Sequence, residues 1–291
     1  MERKTAMKCT DINIRDPYVI YENGTYYMYG TRAANFGCNT GGFDVYTSTD
    51  LETWSDPIPC FDSEKYGLNR HVNWAPEVHV YKDAYYMFAT FTRESGLRAT
   101  HVLKSDSPLG PFVPHGEKEL TPETWECLDG TLYVSPEGKP YLVFCHEHTQ
   151  ILDGTICYVE LSDDLTRAVS DPVLLFKASE SSWAESLHWA DGEHYVTDGP
   201  FMYRSESGEQ FMIWSSFIDG RYVVLPVKFA GGRLSTEFEH MPPLFKDDGG
   251  HGMIFRADDR LFLTFHTPNA SGSEHPFFVE ILDKGDRLEQ K

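Results

Sequence analysis

The sequence predicts an all-β chain folded as a five-bladed β-propeller, and three observations carry that expectation. A strand–turn–strand signature recurs five times at a period of about sixty residues, which is the mark of a radial array. Aromatic residues reach 14%, led by 19 Phe and 16 Tyr, which suits pleated surfaces where rings pack. No stretch shows the apolar period of a helix three turns long.

The first copy runs Tyr18-Val19-Ile20-Tyr21, a turn at Asn23-Gly24, then Tyr26-Tyr27-Met28-Tyr29. Asn-Gly marks a tight hairpin, because both central residues must take positive φ. The second copy is Val78–Tyr81 and Tyr85–Phe88; the third is Thr131–Val134 and Tyr141–Phe144. The fourth follows Asp198-Gly199-Pro200, with Phe201–Arg204 and then Phe211–Ser216. The fifth is Met253–Arg256 and Leu261–Thr264. A third strand follows in each copy, at Phe43–Ser48, Ala99–Ser105, Ile156–Glu160, Tyr222–Val227 and Phe277–Leu282. A sheet of three or four strands cannot bury both faces alone, and stacking sheets around an axis does so. No internal linker rich in Pro, Gly or Ser interrupts the repeats, so one propeller is expected over residues 1–291. A two-sheet jelly roll uses similar strands but predicts no fivefold self-similarity.

Composition narrows the partners. A net charge of −20 repels phosphate backbones and argues against nucleic acid. No apolar run approaches membrane length. The six cysteines, Cys9, Cys38, Cys60, Cys127, Cys145 and Cys157, show no CxxC pairing and read as mostly buried, reduced thiols. Met1–Met7 has no apolar core of a signal peptide, so a cytoplasmic location is expected, or a secreted or periplasmic one if a leader has been removed.

In a propeller the first strand of each blade lines the central channel, so the residues heading the repeats converge. They are Arg15-Asp16-Pro17, Ala75-Pro76-Glu77, Leu128-Asp129-Gly130, Asp198-Gly199-Pro200 and Gly250-His251-Gly252. One Asp beside Gly or Pro reads as a turn residue. Four acids at equivalent heads read as a proton-transfer site, since like charges raise one another's pKa. Two carboxylates flanking a bond are what glycoside hydrolysis needs, one to protonate the leaving oxygen and one to activate water or attack.

With these motifs in order on successive blades, the chain resembles glycoside hydrolase family 43, five-bladed propeller hydrolases of arabinose- and xylose-containing glycans. The resemblance covers essentially the whole chain. It implies inversion, with Asp16 as general base, Asp129 as the acid that tunes and orients the proton donor, and Asp198 as general acid. The family usually carries Glu at the last position; Asp is shorter by one methylene, about 1.3–1.5 Å of reach. Glu147 and Glu77 are therefore alternative acids. His251 matches the family's axial histidine, which holds a metal, commonly calcium, largely through waters; a histidine bonded to neighbouring carboxylates is the plainer reading.

Trp74 is placed to stack on a sugar face, or to pack between blades. His266 and Arg32 end second strands and could line the cleft. His146 and His148 are expected on one strand face, too few to specify a metal site. The segments 61–71 and 176–189 are long enough to shape the cleft, with Trp183 and Trp189 as aromatic walls. The expected partner is an oligo- or polysaccharide, without nucleic acid or membrane, and no organic cofactor is implied. A propeller that binds carbohydrate without cleaving it is the alternative.

Overall fold

The computed structural model describes residues 7–33, 41–68, 71–116 and 118–291. Five antiparallel four-stranded meanders are arranged as a five-bladed β-propeller. Blade one is β1 (Ile14–Glu22), β2 (Thr25–Arg32), β3 (Gly42–Ser48) and β4 (Ile58–Asp62). Blade two is β5 (Asn73–Tyr81), β6 (Ala84–Thr92), β7 (Arg98–Ser105) and β8 (Val113–Pro114). Blade three is β9 (Cys127–Val134), β10 (Pro140–His146), β11 (Thr155–Glu160) and β12 (Val173–Lys177). A separate hairpin follows, β13 (Leu187–Trp189) and β14 (Gly192–His194). Blade four is β15 (Asp198–Arg204), β16 (Gln210–Ile218), β17 (Arg221–Phe229) and β18 (Phe238–His240). Blade five is β19 (Gly250–Ala257), β20 (Arg260–Thr267), β21 (His275–Asp283) and β22 (Leu288–Gln290).

Turn chemistry works as the sequence implies. Asn23 and Gly24 both take positive φ (50° and 79°), the mirror-image turn whose twist matches its strands. The outermost strands are short, two to five residues, so they escaped the sequence pattern. One four-residue α-turn, α1 (His148–Ile151), interrupts blade three. Among the described residues no helix is long and apolar enough to cross a membrane.

Aromatic side chains fill the gaps between sheets. Trp214, Tyr29, Tyr222, Phe43, Phe88, Phe144 and Phe211 are among the largest fully buried groups. Cys60, Cys127, Cys145 and Cys157 are buried free thiols and Cys9 is a partly buried one, while Cys38 lies outside the described residues. Each blade uses contiguous chain, so the ring closes without exchanging a strand. Blades one and five are instead joined by side chains. The Asn13 amide donates to the Glu274 carbonyl (2.8 Å), His275 Nδ1 donates to the Ile12 carbonyl (2.8 Å), and Arg15 pairs with fully buried Glu274 (2.7 Å). Trp54 stacks on Phe278 across the same seam.

One backbone device repeats in all five blades. The first strand bulges where two of its residues oppose one on the second strand. The bulged pairs are Asp16-Pro17, Ala75-Pro76, Asp129-Gly130, Gly199-Pro200 and His251-Gly252. The first of each pair is left-handed, with φ between 46° and 55°. Only Gly199 adopts this without steric cost; elsewhere it stores on the order of 1–3 kcal/mol.

The bulge amide is met by a neighbouring blade. Ala75 N–H donates to Thr31 Oγ1, Asp129 N–H to Thr90 Oγ1, His251 N–H to Ser215 Oγ, and Asp16 N–H to His266 Nδ1. Thr31, Thr90, Ser215 and His266 occupy the same register position on second strands. Blade three has Cys145 there, and the Gly199 N–H donates to the Asp129 carboxylate instead (3.2 Å).

Candidate active site

The bulges correct the alignment of the four acids. Asp16, Ala75, Asp129, Gly199 and His251 are the equivalent residues, so only two blades present a carboxylate from the bulge itself. Asp198 sits one residue earlier, opposite Ser215. Glu77 sits two residues after Ala75, opposite Phe88. Stacking sequences on their Gly and Pro residues concealed these offsets, because a two-for-one bulge is visible only in the register.

Three acids nevertheless converge on His251. Its Nδ1 lies 3.2 Å from Asp16 Oδ1, 3.8 Å from Asp129 Oδ2 and 3.9 Å from Asp198 Oδ1. Its ring lies over Gly199, where a Cβ would meet His251 Cδ2 at 2.7 Å. Glycine is thus required there for space, and it takes the left-handed φ without the strain met at the other four bulges.

Asp16 is anchored on both oxygens. Thr31 Oγ1 donates to Oδ2 (2.6 Å), and His251 Nδ1 lies 3.2 Å from Oδ1. Burial opposes ionisation of Asp16, but His251, Arg15, His266 and the Thr31 hydroxyl outweigh it and hold the carboxyl below the ordinary range. Asp129 behaves oppositely. Burial first, then the charges of Asp198 and Asp16, push it well above the ordinary carboxylate value. Burial also disfavours a charged Asp198, but the hydrogen bond from Asp129, then His251, the Tyr222 hydroxyl and Arg15, bring it below the ordinary range. Asp129 and Asp198 therefore share one proton, resting on Asp129.

These groups form the floor of a cavity of about 450 Å³, lined also by Arg15, Trp74, Arg98, Glu147, His148, Trp189, Phe217 and Tyr222. That volume suits a small ligand or a few sugar units. Asp198, a quarter exposed, is the most open of the three acids.

A family model described as glycosyl hydrolases family 43 matches residues 10–277. The chain belongs to glycosyl hydrolase family 43. It is accordingly an O-glycosyl hydrolase. Among solved structures, an endo-arabinase from Bacteroides thetaiotaomicron is 37% identical, with 97% of this chain and 99% of that chain covered and a TM-score of 0.88. A thermostable family-43 glycoside hydrolase is 24% identical, with 96% and 93% covered and a TM-score of 0.82. An α-L-arabinofuranosidase from Lactobacillus brevis is 18% identical, with 96% and 93% covered and a TM-score of 0.74. The last two share the fold. No curated protein matches the chain.

In this family-43 hydrolase, Trp74 and Trp189 reach the cavity as expected, whereas the exposed Trp183 does not line it. Arg98 packs its guanidinium over the Trp74 ring, 5.2 Å from the centroid. Glu147 lines the cavity but is committed: it pairs with Arg98 Nη2 (2.7 Å) and lies 3.2 Å from His148 Nε2. Both of its oxygens are thus engaged by basic side chains before any substrate arrives.

Glu77 is buried against His79 (3.0 Å) and does not line the cavity. His266 is also absent from the lining; it is completely buried beneath Asp16 and supports it rather than touching sugar. Arg32 is held by Asp44 outside the cleft. His146 and His148 do not share a strand face, because β10 ends at His146 and α1 starts at His148. His146 bonds Gln150 (2.7 Å) and stacks on Trp125, while His148 faces His194 (Nδ1 to Nδ1, 3.0 Å).

None of the described residues of 61–71 lines the cavity, while 176–189 contributes through Leu187 and Trp189. Thr31, Arg98 and Tyr222 were missed as site residues. Tyr222 begins a third strand, where no sequence signal sets it apart from the other aromatic strand residues.

Proposed function

We propose that the chain is an inverting hydrolase of arabinose- or xylose-containing glycans, with arabinan the favoured substrate. The convergence of Asp16, Asp129 and Asp198 from three blades on one cavity carries this reading. The 37% identity to a structure described as an endo-arabinase supports the choice of sugar. Asp16, ionised and fixed by Thr31, takes a proton from water as its oxygen attacks the anomeric carbon. The glycosidic C–O bond breaks, and Asp198 gives the leaving oxygen the proton that Asp129 supplies. Asp16 then releases its proton to solvent and the Asp129–Asp198 pair takes one up, which restores the starting state. Trp74 and Trp189 offer faces for pyranose or furanose rings.

Asp129, Asp198 and His251 could together hold a cation. His251 Nε2 is buried without a hydrogen-bond partner, which fits a donor to a hydrated divalent ion such as calcium. Such an ion would supply positive charge beneath the carboxylates. The propeller is read as one catalytic unit over 1–291, for which a single cooperative unfolding transition is the expected signature. Two resolved transitions would divide it.

NMR of the first-released anomer tests the mechanism, and digestion of debranched arabinan against xylan tests the sugar. Inverted product from arabinan is expected. Retained configuration would remove the single-displacement reading.

A further inference from the structure

We propose that Tyr222 is a positioning residue for the proton donor: its phenol fixes one oxygen of Asp198 so that the other is presented to the leaving group. This rests on the reading of Asp198 as the group that protonates that oxygen. The Tyr222 hydroxyl donates to Asp198 Oδ2 at 2.6 Å, the shortest contact that carboxylate makes with another blade-four side chain. The ring is held from several sides. Phe217 lies 5.3 Å away between centroids and His266 5.5 Å. The Tyr222 carbonyl accepts from Gly249 N–H (2.9 Å), and its own N–H donates to Asp248 Oδ1 (3.3 Å).

Gly250 gives the ring its place. A Cβ there would lie 2.5 Å from Tyr222 Cδ1 and Cε1, and Gly250 has no positive φ to explain the glycine otherwise. A carboxylate on a short Asp side chain would otherwise rotate and offer either oxygen, or neither, to the leaving group. With Oδ2 held, Oδ1 remains for the reaction.

The test compares Tyr222→Phe with Asp198→Asn on two substrates, an unactivated arabino-oligosaccharide and a nitrophenyl arabinofuranoside whose leaving group needs little protonation. Loss of a hydrogen bond to a charged group predicts that Tyr222→Phe lowers kcat on the oligosaccharide by about 10- to 100-fold. KM should stay within about twofold and the nitrophenyl rate within about threefold, as for a step spared protonation.

Equal losses on both substrates would make Tyr222 merely structural and overturn the proposal, as would no loss at all. If Asp198→Asn shows no such leaving-group dependence, the underlying reading fails instead. Should Tyr222→Phe unfold, Gly250→Ala is the second probe: its Cβ would lie 2.5 Å from the Tyr222 ring and displaces the phenol from Asp198, so the oligosaccharide rate should fall by more than the nitrophenyl rate; equal losses, or none, would overturn the proposal.

Discussion

At the floor of the cleft five strands reach the axis through one repeated bulge, whereas part of the wall is a single hairpin, Leu187–His194, with no counterpart among the described residues of the other blades. The floor is held by contacts that recur from blade to blade, a second-strand hydroxyl or imidazole accepting the next bulge amide. The wall is held once. His194 Nδ1 meets His148 Nδ1 (3.0 Å), its Nε2 meets Asp191 (2.9 Å), and the Trp189 ring packs against both imidazoles. A repeated device places its groups reproducibly because each bulge has the same left-handed backbone. A single insertion can be altered without disturbing the ring, which is where substrate choice can vary.

That contrast predicts large effects on turnover at the floor and effects on binding at the wall. Asp16→Asn should lower kcat by about 10³-fold or more, since it removes the general base. Calorimetry should still detect sugar binding by the variant; near-normal turnover would break the assignment of the floor. Gly250→Ala forces a methyl group against the Tyr222 ring and should cost about 1–3 kcal/mol of stability, read as a lowered Tm, along with part of the activity. An unchanged Tm would show that the ring has room to move.

Trp189→Ala, which removes an indole that is half exposed over the cleft, should raise KM by about 3- to 10-fold through lost stacking, at nearly constant kcat. A fall in kcat alone would place Trp189 with the floor. His194→Ala frees the hairpin from His148 and should give a similar but smaller rise in KM, with faster hydrogen exchange confined to 187–194.

The smallest effect is on acid stability. Burial, with Arg15, holds His266 down to about 3, and burial holds His101 down to about 4. Between an unfolded value near 6.5 and these folded values, the unfolded chain binds more protons. Stability should therefore fall as pH drops from about 6.5 toward 3, independently of the carboxylates. His266→Asn should flatten part of that slope, measured by urea titration at several pH values.

The fivefold repeat was legible because strand period, Asn-Gly turns and aromatic pairs are local properties. Asp16, Asp129 and His251 were legible because the motif heads the strand that lines the channel. Asp198 was found, but at a position thought equivalent to theirs, because Gly199 rather than Asp198 occupies the bulge. Glu77 was misplaced for a related reason: two residues further along its strand, it pairs with His79 instead of lining the cavity. Glu147 looked free at a strand end, and only the approach of Arg98 from blade two shows its carboxylate to be engaged.

By itself the sequence determined the propeller, its five first strands and the chemical identity of the groups at its mouth, since these follow from periodicities of two and about sixty residues. Only the tertiary structure decided which acid carries the proton, that Tyr222 holds Asp198, and that His266 lies under Asp16 instead of in the cleft. Those outcomes depend on burial and on distances between residues that are remote in the chain. The electrostatics of a buried carboxylate are set by what surrounds it, and its surroundings come from four other blades.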